Sequence, residues 1–378
     1  MTEIELEERK DIELVGKSAH AMALNEQLGK MIVARKIEDC DDVLEQFNIL
    51  PGWMATREKL ICPANGSIES VCFIGENILS THINGSVVIS SPHSDIIRRV
   101  QVCPAPLWSC CFISPSHAAL VSHSAILYFF NLDEAAVEKS LSLGVDSRLF
   151  AVAARNNQVA VGGQNTVFII KDGHIKHSLA VARHDKRLPT IVWAVTFMRD
   201  NLVVSGDSRG KLCFWNSESG ALLQELDSHQ ADILTLCPVG ENICAAGVDP
   251  RIMTIREVNP NSFHVIGKRN GPIRDVKAIA ACDERVYAVG DDHEIYVGHQ
   301  GCQTVKQQLN KQVILGGRLT MVRGLNYVDL HTSGEGEEEA EGKISVAKMP
   351  VFLARIFTPG KLPLTAWWAH FITSFFLP

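Results

Sequence analysis

A pattern of two apolar runs recurs six times along the 378-residue chain, at intervals of 40 to 43 residues. In each copy the first run ends at a small or polar corner, and a turn of two to four residues leads into the second run. Aligning the corners places six residues in register: His82, His123, Gly163, Gly206, Gly247 and Gly290. A repeat of this length is typical of one four-stranded propeller blade. The spacing therefore predicts an all-β fold, a β-propeller.

A further strand precedes each copy at a nearly constant distance. SIESVCFI from Ser67 and IVWAVTF from Ile191 are examples, and both alternate apolar and polar residues with a period of two. This alternation suits an innermost strand packed between neighbouring blades. A weaker seventh unit begins near Ala19 and includes KMIVARK and DVLEQFNI. Seven units are enough to close a ring, which hides the strand edges of an open sheet.

The repeats divide the chain into three predicted parts. Residues 1–18 form an acidic N-terminal segment without the apolar core of a signal peptide, residues 19–299 form the propeller, and residues 300–378 form a non-repeat tail. The tail contains GEGEEEAEG at 334–342, whose five glutamates predict a solvated linker. The tail ends in the apolar stretch LTAWWAHFITSFFLP, which is too short to span a bilayer. We expect no membrane association.

The formal net charge is −7 and the sequence pI is about 6.1, below the range typical of a basic nucleic-acid-binding domain. Any RNA contact must then come from local basic patches or from partners. Two clusters are candidates for RNA or partner contact, one before blade five and one before blade seven: Arg183, Lys186, Arg187, and Lys268, Arg269, Arg274. We expect both to lie in connections between blades, which emerge on one face of a propeller.

Catalytic and metal-binding patterns are weak. Gly206 to Gly210 fit G-x-S-x-G, but a nucleophile elbow requires a helix after the serine, and here the strand KLCFW follows. A β-turn explains the motif. His174, His177 and His184 lack the spacing of a metal site and are predicted to lie in a surface loop, and none of the 11 cysteines forms a CxxC pair. We expect no catalytic residues, metal, cofactor or small-molecule substrate.

Residues 190–237 carry a specific resemblance. They read TIVWAVTFMRDNLVVSGDSRGKLCFWNSESGALLQELDSHQADILTLC, an innermost strand followed by V-S-G-D-S-x-G, then F-W, then a histidine before A-D-I-L. This stretch resembles the cirhin-like family of WD-repeat proteins. APLWSCCFISPS from Ala105 is similar to the family's G-P-I-W-S segment, and the resemblance extends over residues 60–299.

The resemblance implies a non-enzymatic scaffold of the small-subunit processome that supports pre-rRNA processing and small ribosomal subunit (18S rRNA) biogenesis in the nucleolus. The implied partners are other processome assembly-factor proteins, and the U3 small nucleolar ribonucleoprotein and pre-rRNA, contacted directly or indirectly. Members of this family are longer and carry a second propeller, whereas residues 301–378 here match nothing in the family.

The resemblance also implies structural roles for the WD-motif residues. WD repeats join a histidine, a turn aspartate, a hydroxyl and a tryptophan within a blade, and five residues occupy such places here: Ser205, Asp207 and Trp215 in blade five, and His229 and Asp249 in blade six. Neither blade has the full set, since Leu188 replaces the histidine of blade five, and Ala245 and Ile255 replace the hydroxyl and tryptophan of blade six.

One alternative function remains open at this point. A propeller alone indicates a scaffold without naming its complex, so a WD-repeat scaffold in another assembly, such as a ubiquitin-ligase adaptor, also fits the repeats. Nucleolar localisation and co-purification with U3 RNA distinguish the two functions.

Overall fold

The computed structural model of the protein describes residues 18–36, 41–49, 55–61, 63, 65–91, 98–144, 148–183, 188–272, 274–282, 285–291 and 295–299. Within these ranges the chain forms 27 strands in seven antiparallel sheets and no helix. The all-β propeller predicted from the repeat is therefore confirmed. The acidic segment up to residue 17 and the tail 300–378, with its linker 334–342, lie outside the described residues.

The first four sheets are blades of four strands in sequential order. Blade one contains β1 (Ser18–Asn25), β2 (Lys30–Lys36), β3 (Val43–Ile49) and β4 (Ala55–Ile61). Blade two contains β5 (Ile68–Ile74), β6 (Asn77–His82), β7 (Ser86–Ser90) and β8 (Arg98–Gln101). Blade three contains β9 (Leu107–Ser114), β10 (His117–Ser122), β11 (Ile126–Asn131) and β12 (Ala136–Ser142). Blade four contains β13 (Leu149–Arg155), β14 (Gln158–Gly163), β15 (Thr166–Lys171) and β16 (His174–Ala180).

The remaining sheets are two blades of four strands and one of three described strands. Blade five contains β17 (Val192–Arg199), β18 (Leu202–Asp207), β19 (Lys211–Asn216) and β20 (Leu222–Asp227). Blade six contains β21 (Ile233–Val239), β22 (Asn242–Gly247), β23 (Arg251–Asn259) and β24 (Ser262–Asn270). Blade seven contains β25 (Val276–Cys282), β26 (Arg285–Gly290) and β27 (Tyr296–His299).

Burial follows the position of a strand within its blade. Every residue of the second strands β14, β18 and β22 is buried. The fourth strand β12 is almost entirely exposed or half-buried, because it lies at the rim. A middle strand is covered on both faces by the neighbouring blades, so it consists of small and β-branched residues without a polar face. This explains why the clearest repeats in the sequence are the second and third strands.

The hydrophobic core lies between blades. The described residues form seven hydrophobic clusters, and each joins two adjacent blades. One cluster joins the last blade to the first through Phe47 and Met31 of blade one and Tyr287 and Val289 of blade seven. The strands β1 and β25 are also in contact. Side-chain packing between the first and last blades therefore closes the ring among the described strands. The four strands of blade one are consecutive in the chain, so no strand of this blade comes from the C-terminal side of the described repeats.

Each innermost strand has a β-bulge near its first residue, and the pairing on either side of the bulge shows which residues of the repeats are equivalent. In blade two, Ile68 pairs with His82 and Ser70 with Thr81, which leaves Glu69 without a partner in the ladder. The residues equivalent to His82 in the next five blades are Ser122, Gly163, Asp207, Gly247 and Gly290. The predicted register is thus wrong by one residue at His123 and at Gly206. The corners were aligned in the sequence by residue type, glycine with glycine and histidine with histidine. Residue type does not show which residue the hydrogen-bonded pairing of the strands places at each corner.

Candidate functional site

One face of the ring brings together the structural elements that carry the candidate residues. Because successive strands of a blade are antiparallel, the first strand begins, the second ends, the third begins and the fourth ends at the same face. We call this the entry face. It consists of the first residues of each innermost strand, the turn between the second and third strands, and the connection from the preceding blade. The bulges described above all lie on this face.

Aromatic residues occupy the bulge in three consecutive blades. The extra residue of the bulge, which has no partner in the pairing with the second strand, is Trp108 in blade three, Phe150 in blade four and Trp193 in blade five. A bulge redirects the side chain of its extra residue and is frequent beside functional sites. In the other blades this position holds His20, Glu69, Leu234 and Lys277. The aromatic side chains are therefore confined to one side of the ring.

The three bulge residues and His123 form one continuous cluster of rings, which we call the aromatic cluster. The Trp108 ring centroid lies 6.0 Å from that of His123 and 6.0 Å from that of Phe150. Phe150 meets Trp193 edge to face with a centroid distance of 4.9 Å. All four side chains are half-buried. Such tilted and edge-to-face contacts are the favoured arrangement of aromatic pairs.

Hydrogen bonds inside the protein orient the two indoles. The Nε1–H of Trp108 donates to Nδ1 of His123 over 2.9 Å, and that of Trp193 donates to Oδ2 of Asp232 over 2.8 Å. Burial and the nearby positive charge of Arg148 lower the pKa of His123. The neutral ring accepts at Nδ1 and therefore carries its proton on Nε2.

Two arginines accompany this cluster on the entry face. Arg148 immediately precedes β13, and Arg183 lies in the connection that follows β16. Both are exposed. Arg183 thus lies in an inter-blade connection as predicted, whereas Lys186 and Arg187 of the same predicted cluster lie outside the described residues. Contact of these residues with RNA or a partner remains a prediction.

The second predicted basic cluster is divided between two elements. Lys268 and Arg269 belong to β24, the outermost strand of blade six, and not to the connection before blade seven. Only Arg274 lies in that connection. Arg269 packs against blade seven, because a Cβ added to Gly298 would come within 2.5 Å of its Nη1, and its Nε and Nη2 are shielded from solvent. The placement of Lys268 and Arg269 in a loop was wrong because β24 extends to Asn270, longer than the other outermost strands.

Of the WD-motif residues of blade five, Ser205 and Trp215 contact each other, whereas Asp207 has a different partner. The Nε1–H of Trp215 donates to Ser205 Oγ over 2.9 Å across the buried ladder of β18 and β19. Asp207 instead pairs with Arg209, whose Nη2 lies 2.6 Å from Asp207 Oδ2. Arg209 also reaches Glu225 of β20 at 3.2 Å. An ion pair in the turn therefore occupies the place of a histidine–aspartate contact.

Blade six also has an aspartate–arginine pair in its turn, although in the ladder register Gly247, and not Asp249, is the residue equivalent to Asp207. Asp249 forms an ion pair with Arg251, two residues later, as Asp207 does with Arg209. His229 is buried beside this blade, and Ser228 Oγ lies 2.8 Å from its Nδ1. Burial lowers the pKa of His229 to about 4, so the ring is neutral near pH 7. The D-x-R turns carried a recognisable sequence signal, an arginine two residues after a turn aspartate, that the repeat alignment did not use.

The G-x-S-x-G motif lies in the turn that joins β18 and β19. Ser208 Oγ accepts a hydrogen bond from the backbone N–H of Ile191 over 3.0 Å, and the Ser208 N–H donates back to the Ile191 carbonyl over 2.9 Å. The serine thus ties its turn to the start of blade five, as expected for a structural β-turn.

The histidine group considered for a metal site is placed differently from the prediction. His174 and His177 lie in the strand β16 and not in a loop, while His184 is outside the described residues. Over the described ranges, no cluster of histidine, cysteine or carboxylate side chains has the arrangement of a metal site. The same ranges contain no helix that could cross a membrane.

Comparison with known proteins confirms the resemblance to the cirhin-like family. The human U3 small nucleolar RNA-associated protein 4 homolog is 26% identical over 238 residues, which are 59% of this chain and 33% of the human protein. The mouse protein of the same name is 24% identical over 236 residues, again 59% of this chain and 33% of the relative. U3 small nucleolar RNA-associated protein 4 of Saccharomyces cerevisiae is 35% identical over 83 residues, 21% of this chain and 11% of the yeast protein.

The alignments to the human and mouse proteins cover about a third of the length of those relatives. No family model matches the sequence.

Proposed function

We propose that this chain is a scaffold subunit of the small-subunit processome, which supports pre-rRNA processing and the biogenesis of the small ribosomal subunit. The observation that carries the proposal is the similarity over 238 residues to a protein named for its association with U3 small nucleolar RNA. An alignment of that length corresponds to most of a ring of seven blades, and not to a single repeat. A chance match of one WD motif would not extend so far.

The mechanism is presentation of rigid surfaces without turnover. A closed ring held by seven inter-blade clusters keeps its two faces and its rim in fixed positions. Other assembly factors dock on these surfaces, and the U3 ribonucleoprotein and pre-rRNA are held through them or through the chain itself. The chain acts in the nucleolus, where the pre-rRNA is made.

The matched region limits the proposal to the part of the relatives that this chain contains. Because it covers a third of the human protein, the remaining activities of those longer proteins are not assigned to this chain. Within this limit, the exposed Arg183, together with Lys186, Arg187, Lys268 and Arg274, is proposed to contact RNA or acidic partners. Arg269 is the weakest candidate because its guanidinium packs between blades.

Depletion of the protein from the cells that express it tests the proposal. We expect uncleaved precursors of the small-subunit rRNA to accumulate and mature 18S rRNA to fall, while the large-subunit rRNA is maintained. Re-expression of the chain from a depletion-resistant gene provides the control and should restore 18S rRNA. Unchanged precursor levels at complete depletion would contradict the proposal and leave a WD scaffold of another complex.

A further inference from the structure

The aromatic cluster is a specific feature of blades three to five. Three neighbouring blades place an aromatic ring at the same bulge, and His123 extends the row from the turn that follows β10. The ring-to-ring distances of 4.9 to 6.2 Å make the row continuous. A half-buried row of four rings from three blades is therefore a surface shaped by the propeller and not by one loop.

The chemistry available to a ligand there is stacking. The N–H groups of Trp108 and Trp193 already donate to His123 and Asp232, so what these half-buried indoles can still offer a ligand is ring surface. Planar ligands stack on such faces, and aromatic platforms of this kind bind the bases of single-stranded nucleic acids. Stacking is tolerant of sequence because every base has a π face.

Two exposed arginines lie in the inter-blade connections of the same blades. Arg148 is near enough to His123 for its positive charge to lower the pKa of that ring, and Arg183 is exposed in the connection from blade four to blade five. Asp232, the carboxylate that touches the cluster, accepts the hydrogen bond from Trp193. The two arginines therefore offer positive charge to an anionic ligand on this side of the entry face, beside the single negative charge of Asp232, although the whole chain has a net charge of −7.

We propose that the aromatic cluster, with Arg148 and Arg183, binds an unpaired segment of an RNA strand, whose bases stack on the rings while its phosphates meet the arginines. An unpaired strand supplies flat rings and negative charge in alternation, which matches this surface. An acidic peptide would satisfy only the arginines. The choice of RNA over single-stranded DNA rests on the proposed function, whereas the binding of a strand with exposed bases rests on the cluster itself.

Fluorescence anisotropy with the purified full chain tests the binding directly. The probes are a fluorescein-labelled 12-nucleotide oligouridylate and an abasic strand with the same number of phosphates. We expect the oligouridylate to bind at least about tenfold more tightly than the abasic strand, because loss of stacking on one ring alone weakens binding by about this factor. Binding should also quench the tryptophan fluorescence of the protein.

Matched variants locate the site. Phe150→Leu removes the central ring and keeps an apolar side chain, and Phe112→Leu makes the same change at a 43% exposed phenylalanine in β9, beyond the bulge. We expect about a tenfold loss of affinity for Phe150→Leu and none for Phe112→Leu. Arg148→Gln should reduce the slope of log affinity against log salt by about one, whereas Arg155→Gln, at the other end of β13, should leave the slope unchanged.

Equal affinities for the abasic and base-bearing strands would overturn the proposal. Equal affinities of Phe150→Leu and Phe112→Leu for the oligouridylate would also overturn it, provided that thermal unfolding shows both variants to be folded. U3 RNA bound to the chain purified from cells separates this result from the proposed function. If Phe150→Leu keeps U3 RNA in cells and the wild type binds no oligonucleotide, the RNA-stacking site fails and the scaffold function stands. Absence of U3 RNA from the wild-type complex contradicts the function itself.

Discussion

Trp215 and Ser205 face each other across neighbouring strands of blade five, and the indole Nε1–H donates to the serine Oγ over 2.9 Å. Both side chains are almost fully buried, at 4% and 1% exposure. The pair links β18 to β19 in addition to the backbone ladder. The bond is therefore a side-chain contact that a WD-type motif predicts directly.

Replacement of Ser205 by alanine should destabilise the propeller. The Trp215 N–H would stay buried without an acceptor, and such a group costs about 1–3 kcal/mol of unfolding free energy. Urea unfolding of Ser205→Ala against the wild type measures this loss. Ser140→Ala on the exposed strand β12 is the matched control and should unfold with the wild type. In a Trp215→Phe background, Ser205→Ala should lower the unfolding free energy little further. The same loss in that background as in the wild type would contradict the role of the Trp215–Ser205 hydrogen bond.

Asp207→Asn should weaken the turn of blade five. Arg209 and Asp207 have side-chain exposures of 7% and 1%, and removing one charge leaves the other buried with only Glu225 near it. We expect a loss of about 3 kcal/mol, because breaking a buried ion pair is strongly destabilising. Asp200→Asn removes the partner of Arg155 in an exposed pair and should have no measurable effect. Equal midpoints for the two variants in chemical denaturation would contradict this account.

Gly210 should tolerate alanine less well than Gly66. Both glycines have positive φ, +75° and +77°, so alanine costs roughly 1–2 kcal/mol of backbone strain at either position. At Gly210 the new Cβ would also lie 2.4 Å from the carbonyl oxygen of His229, whereas nothing lies within 4 Å at Gly66. We expect a clearly larger fall in melting temperature for Gly210→Ala, and identical melting temperatures would refute the steric part of the argument.

Stability should fall on mild acidification because of two buried histidines. Burial lowers the pKa of His82 and of His229 from 6.5 to about 4. The unfolded state therefore binds a proton as the pH falls below about 6.5, while the folded state does so only near pH 4. The loss begins below pH 6.5, reaches about 2 kcal/mol for each histidine at pH 5, and levels off below pH 4.

Urea unfolding at pH 7.5 and pH 5 measures this loss. Changing both histidines to glutamine should flatten the difference between the two pH values, whereas His264→Gln on the exposed part of β24 should leave it unchanged. A wild-type pH dependence in the double variant would show that other groups cause it.

The sequence predicted the repeat architecture well because burial imposes it directly. Second strands such as β14 and β18 are buried on both faces, so their small and β-branched residues recur with the blade period. The unit near Ala19 was recognisable for the same reason. The bulges were not predicted, since one extra residue in a strand changes the pairing register and leaves the apolar pattern intact.

The candidate site was predicted only in part for a related reason. Ser205 and Trp215 belong to a known motif and could be paired in advance, and Arg183 follows a recognisable strand end. The aromatic cluster could not be predicted, because Trp108, Phe150 and Trp193 are about 40 residues apart and meet only when three blades stand side by side. The division of Lys268 and Arg269 from Arg274 depends on the length of β24, which propensity alone does not fix.

The most direct test of the processome function is the RNA that accompanies the native protein. The tagged chain should be purified under native conditions from the cells that express it, and its bound RNA should be sequenced against an untagged control. We expect strong enrichment of U3 small nucleolar RNA and of the pre-rRNA leader over other small nucleolar RNAs. A complex that contains the propeller and its protein partners without those RNAs would contradict the processome function.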